Sequence, residues 1–136
     1  MGMTNKKLGN TFESELCQYL FEKGFWAHNL AQNAAGQPAD VIAVRNKVAY
    51  LIDCKVCSHR GFQLSRIEEN QELSMTLWKE RGNGNGWFAI KMMDGQVYMI
   101  PLMVLQSWRL SKSILNHHDI QEMGAVTLER WVKLCK

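Results

Sequence analysis

Two carboxylates and an ammonium bracket the most apolar stretch of the chain. Residues 38–55 read PADVIAVRNKVAYLIDCK; Asp40 opens the run, and Asp53 and Lys55 close it. Burying a charge is costly unless it is paired or holds a metal. Side chains alternate faces along a strand, so Asp53 and Lys55 point the same way, their Cα atoms about 7 Å apart. If 40–45 and 48–56 pair through an Asn46-Lys47 turn, residue 45 faces 48 and Asp40 faces Asp53. Cross-strand neighbours of this kind lie about 4.5–5.5 Å apart, and like charges there repel. A divalent cation between them removes the repulsion, and oxygen ligands suit Mg²⁺ or Mn²⁺. Lys55 beside them can neutralise a phosphate or position a water. That set is fit for metal-assisted phosphodiester hydrolysis. The same positions also fit a turn cap at Asp40 with an ordinary Asp53–Lys55 ion pair. Geometry alone leaves both open.

The elements that must position these groups are legible in outline. Residues 8–23 carry apolar side chains near the 3.6 period, and Gly24 suits a C-terminal cap. Residues 25–29 read as a short strand, 30–38 as a polar loop, and 40–45 and 48–56 as a strand pair. The second of these is apolar on both faces before Asp53, which predicts a central place in its sheet. Residues 57–62 read as a loop. Ser65-x-x-Glu68 is a capping-box pattern that predicts a helix from Ser65 to Gly82. Residues 87–93 and 96–100 form a hairpin through Asp94-Gly95. Pro101 suits the first turn of a helix to about residue 110. Short helices are expected around 119–123 and over 127–134. The order predicts one domain, 1–136, of α/β class: a mixed β-sheet with helices on its faces.

Composition narrows the function. The 136 residues are 46% hydrophobic, enough for one core, and the formal charge of +3 permits a nucleic-acid partner without demanding one. No stretch reads as a membrane span, and the N-terminus has no apolar signal core, so a cytoplasmic protein is expected. Cys54-Lys-Val-Cys57 is a lone CxxC with no second pair or spaced His pair, so reduced thiols are expected rather than zinc. The five tryptophans read as core and dimer interface rather than as platforms for bases.

Asp40, then Asp53-x-Lys55, with Pro38 two residues before Asp40, resembles the motif of PD-(D/E)xK nucleases. The segment GNTFESEL (9–16) is similar to that superfamily's first-helix motif, in which a glutamate, here Glu13, reaches the metal. FQLSRIEENQELSM (62–75) resembles the segment that follows the motif in RecU-type Holliday junction resolvases, with Gln71 as the glutamine of the site. KSIL (112–115) and the Gly124 region resemble that family's C-terminal end. The resemblance implies a restriction-endonuclease-like core and a Mg²⁺- or Mn²⁺-dependent endonuclease acting on four-way DNA junctions as a homodimer, in recombination and repair. Glu13, Asp40, Asp53 and the backbone carbonyl of Cys54 would hold the metal. Lys55 would orient or activate the attacking water, supported by Gln71. Two departures stand out. Asp53 replaces the commoner glutamate. The protruding insertion of RecU-type enzymes is missing, which brings the chain closer in length to archaeal or phage resolvases.

Groups placed to touch the DNA backbone are Lys6 and Lys7 before the first helix, Asn33 and Gln37 in the loop leading to Asp40, and His59, Arg60 and Arg66 beyond the motif strand. Such contacts position a duplex without reading its sequence. Two other functions compete. A nicking or restriction-type enzyme would need a target-recognition segment, for which there is little room. A non-catalytic DNA-binding module would have no use for a repulsive carboxylate pair.

Overall fold

The computed structural model describes residues 5–30, 39–57 and 61–136, with the side chains of 5–10 outside that description. Its frame is a six-stranded sheet built around the strand that carries Asp53. Helix α1 (Asn5–Glu22) leads to β1 (Trp26–Asn29), β2 (Val41–Arg45) and β3 (Val48–Val56). Then follow β4 (Gly61–Gln63), a 3₁₀ turn (Leu64–Arg66), α2 (Glu69–Glu80), β5 (Gly86–Lys91), β6 (Val97–Pro101) and α3 (Leu102–Arg109). The chain closes with β7 (Ile114–Asn116), α4 (His117–Glu122), β8 (Val126–Thr127) and α5 (Leu128–Leu134). The sheet order is β1-β2-β3-β5-β6-β8, while β4 and β7 form a separate small ladder. Among the described residues only β3 and β5 pair in parallel; the other ladders are antiparallel.

Strand β3 is central, as its two apolar faces require. Ile52 and Cys54 face one core, with Phe12, Leu16 and Leu20 of α1 and Trp131 of α5. Leu51 faces the other, with Met75 of α2 and Leu102 and Leu105 of α3. The turn between β2 and β3 uses Asn46 at φ 52° and Lys47 at φ 68°. Two positive φ values suit the right-handed twist of a two-residue hairpin. Arg45 therefore pairs with Val48 and Val41 with Ile52. The expected register holds from Val41 to Arg45, and Asp40 arrives beside Asp53 although its backbone bonds to Ile52.

Two expectations need correction. The segment 57–62 is not all loop: Gly61–Gln63 pairs with Ile114–Asn116, burying Phe62 against Leu115. The partners are far apart in sequence, and three residues carry no readable period. The helix expected at Ser65 begins at Glu69 instead. Leu64 and Ile67 both enter the core, and a single 3₁₀ turn followed by extended backbone at Ile67 places them there. Glu68, not Ser65, stands at the N-cap, where its N–H donates to Gln71 Oε1 at 3.2 Å.

Candidate active site

Asp40 sits just before β2, and its N–H donates to the Ile52 carbonyl at 3.0 Å, one residue out of the register that pairs Val41 with Ile52. Its Oδ2 accepts the Cys54 N–H at 2.7 Å. The carboxylate is thereby fixed at the end of the strand pair, buried to 8% exposure. Asp53 is fully buried. Its Oδ1 accepts from Gln71 Nε2 at 2.7 Å, and Lys55 Nζ lies 3.2 Å from its Oδ2. That ionic contact lacks hydrogen-bond geometry, so Oδ2 has no donor.

Glu13 approaches from α1, half-buried. Burial pushes its pKa up to about 7, helped by the Asp40 charge and a hydrogen bond with Asp40; Lys55 opposes the shift. Burial also holds Asp53 well above the ordinary carboxylate range, with Asp40 adding to the rise and Lys55 working against it. Both shifts have burial as their chief cause, and in both the neighbouring Asp40 adds to the rise while Lys55 opposes it. The Cys54 thiol is buried on the α1 side of the sheet, and burial pushes it well up. Its side chain lies on the opposite face of the sheet from Asp53, which leaves the backbone carbonyl as the group it can offer.

Every residue expected at the catalytic centre is brought to this corner. Glu13 faces Asp40, Asp40 faces Asp53, and Asp53 touches both Lys55 and Gln71. Gln71, which could have been an exposed helix residue, is buried to 6% exposure. One further group is missed by the sequence: Cys17, one helical turn from Glu13, whose Sγ donates to Asn29 Oδ1 at 2.7 Å and closes α1 onto β1. The expected DNA contacts fare differently. Asn33, Gln37, His59 and Arg60 lie outside the described residues, as do the side chains of Lys6 and Lys7. Arg66 donates to the Val56 carbonyl at 2.9 Å and lies over the Phe62 ring, so it braces the end of β3.

The donor set fits a hard divalent cation. Its atoms are carboxylate and carbonyl oxygens, and Asp53 Oδ2 is a buried acceptor with no hydrogen-bond donor. Among the described residues, no three His, Cys, Asp or Glu side chains already stand together as a cation cage. The carboxyl groups meet pairwise, Glu13 with Asp40 and Asp40 with Asp53.

The family model described as archaeal Holliday junction resolvase (Hjc) matches residues 4–136. Among solved structures, the chain is similar to Hjc from Archaeoglobus fulgidus, a Holliday junction resolvase from an archaeal hyperthermophile. The TM-score is 0.71 at 17% identity, covering 91% of this chain and 99% of that one. At that identity the likeness shows the fold: the restriction-endonuclease-like arrangement of a mixed sheet flanked by helices. No curated protein matches the chain. The family is thus the archaeal one rather than the RecU type. Over nearly its whole length, the chain belongs to the family of archaeal Holliday junction resolvases, which are structure-selective endonucleases.

Proposed function

We propose that this resolvase cuts four-way junctions with Mg²⁺ or Mn²⁺ held by Glu13, Asp40, Asp53 and the Cys54 carbonyl. The observation that carries this reading is the pairing of Asp40 with a fully buried Asp53 whose Oδ2 lacks a hydrogen-bond donor. Nucleases of this family are metal-dependent. The chemistry such an ion supplies is a lowered pKa for its water and polarisation of the phosphoryl oxygens. The residues do the rest. Lys55, tethered at 3.2 Å from Asp53, offers its ammonium to the scissile phosphate and orients the attacking water. Gln71 fixes the Asp53 carboxylate from the N-terminal turn of α2. Glu13, whose pKa burial raises to about 7, would have to give up its proton to serve as a ligand.

The reading extends to a homodimer that sets one active site on each of two opposing strands, because a four-way junction must be cut twice to be resolved. It places the protein inside the cell, in recombination or repair of archaeal or phage DNA.

The test is cleavage of labelled four-way junction beside matched linear duplex, in Mg²⁺, Mn²⁺ or EDTA. Cutting of the junction in either metal and not in EDTA is expected. Equal cutting of both substrates would keep the site and make the protein a general nuclease. No cutting in either metal, with junction binding intact, would turn the reading to a non-catalytic module.

A further inference from the structure

One tryptophan escapes the core. Trp26 on β1 is 57% exposed, and of the exposed large hydrophobic side chains among the described residues it alone stands on the six-stranded sheet. Its ring lies along that of His28, which is also exposed, with centroids 5.8 Å apart and planes inclined by 22°. Strand β1 pairs His28 with Ile42 and Trp26 with Val44; β2 in turn pairs these with Leu51 and Ala49. Side chains two residues apart share a face, so Trp26, His28, Leu51, Asp53 and Lys55 are on one side of the sheet. Helix α2 covers that side mainly over β3 and β5. Ile42 and Val44, between the platform and β3, remain half-exposed.

The structure assigns to Trp26, backed by His28, the role of a stacking platform for a nucleobase unstacked at the branch point of the junction. Three observations select this occupant. The first is position. With strands about 4.8 Å apart and residues about 3.3 Å apart, His28 lies about 12 Å and Trp26 about 16 Å from Asp53. A strand leaving the cut phosphate covers that span within about five stacked nucleotides at 3.4 Å each. The second is charge: along β1, β2 and β3 the only carboxylate is Asp53, itself in the site, so these strands set no acidic side chain between platform and site. The third is shape. Two near-parallel rings standing up from an edge strand offer a flat π-face, which every base can use regardless of sequence. A linear duplex keeps its bases stacked on one another. A branch point has bases to spare, so such a platform would favour the branched substrate. This inference rests on the junction as substrate but not on cleavage.

The experiment measures binding of the full chain to a four-way junction and to linear duplex in EDTA, where nothing is cut. Trp26→Ala is expected to weaken junction binding about tenfold, the size of one lost stacking partner, and duplex binding less than twofold. Trp26→Phe keeps an aromatic face and should stay close to the wild type. The emission that Trp26→Phe removes should be quenched by the junction and not by the duplex. Unchanged junction affinity for Trp26→Ala, or equal weakening on both substrates, would overturn the assignment. So would a shift of Trp26→Ala to a smaller species in sedimentation, which would make Trp26 an interface between copies of the chain. Platform behaviour in a protein that cuts nothing in Mg²⁺ would support this inference and sink the cleavage reading alone.

Discussion

Gln71 and Asp53 are joined across 18 residues of sequence by a 2.7 Å hydrogen bond between buried side chains. The Gln71 amide is used at both ends. Its Nε2 donates to Asp53 while its Oε1 accepts the N–H of Glu68, the N-cap of α2. One side chain thus couples the start of a helix to the orientation of an active-site carboxylate. Gln71→Leu leaves a buried Asp53 oxygen and the Glu68 N–H without partners. The expected loss is about 1–3 kcal/mol of stability, with a lower cleavage rate at unchanged junction affinity. Urea unfolding beside single-turnover cleavage separates the two effects. Unchanged stability and rate would make the bond incidental.

Glu13 gives the site a pH signature in the absence of divalent cation. Its folded pKa, about 7, lies above its ordinary value of 4.5, chiefly because of burial. The folded state therefore holds the proton more tightly than the unfolded chain. That stabilisation is complete below about pH 4.5 and is lost as the pH rises through about 7. Melting in EDTA should show a falling midpoint between about pH 5 and 8, and Glu13→Gln should flatten the slope. A slope unaltered by Glu13→Gln would remove Glu13 from the carboxyl cluster.

Arg45 works at the opposite end of β2 from Asp40. Its guanidinium donates to the carbonyls of Lys23 at 2.9 Å, Val132 at 2.7 Å and Cys135 at 3.0 Å, and lies 4.2 Å over the Phe25 ring. It ties the end of α1 and the whole of α5 to the sheet. Arg45→Met keeps the stem and loses the donors. Part of that array is solvent-exposed, so a loss of about 2 kcal/mol is expected, with the specific cleavage rate of the folded protein preserved. Thermal unfolding measures it, and a change under about 0.5 kcal/mol would contradict the latch.

Gly86 opens β5 against α2. A Cβ built there would lie 2.6 Å from Met75 Cβ, which is too close to the helix for a rotamer change to relieve. Gly86→Ala should cost about 1–3 kcal/mol by overpacking. Met75→Ala in the same chain should recover part of that loss, and a double-mutant cycle measures the coupling. Additive losses would place the strain elsewhere.

Much of the frame was readable from local pattern. The turn at Asn46-Lys47 fixed the register of Val41–Arg45 on β3, and that register brings Asp40 beside Asp53. The hairpin at Asp94-Gly95 and the caps at Gly24 and Gly82 were readable for the same reason: each is decided by a few adjacent residues. What escaped depends on distant partners. Strand β4 exists only because β7, some fifty residues later, pairs with it. The start of α2 moved from Ser65 to Glu69 because Leu64 and Ile67 had to reach the core, a demand no capping pattern records. Trp26 was read with the other tryptophans as core or dimer interface; an edge strand with one uncovered face leaves it exposed. The burial of Gln71 was legible only through the family resemblance and not from local pattern, since a helix position reveals its environment only once the sheet beneath it is known.

The central claim is that the Asp40–Asp53 corner performs the cut. The most direct measurement compares the wild type with Asp53→Asn on a junction labelled in turn on each strand, in Mg²⁺. Asn is nearly isosteric and keeps an oxygen acceptor for Gln71, while removing the charge proposed to hold the cation. Paired incisions in opposing strands by the wild type are predicted, together with junction binding by Asp53→Asn at wild-type affinity and a cleavage rate reduced by at least about a hundredfold, roughly 2.7 kcal/mol in the barrier. Wild-type incision by a folded, junction-binding Asp53→Asn would place the chemistry elsewhere in the molecule.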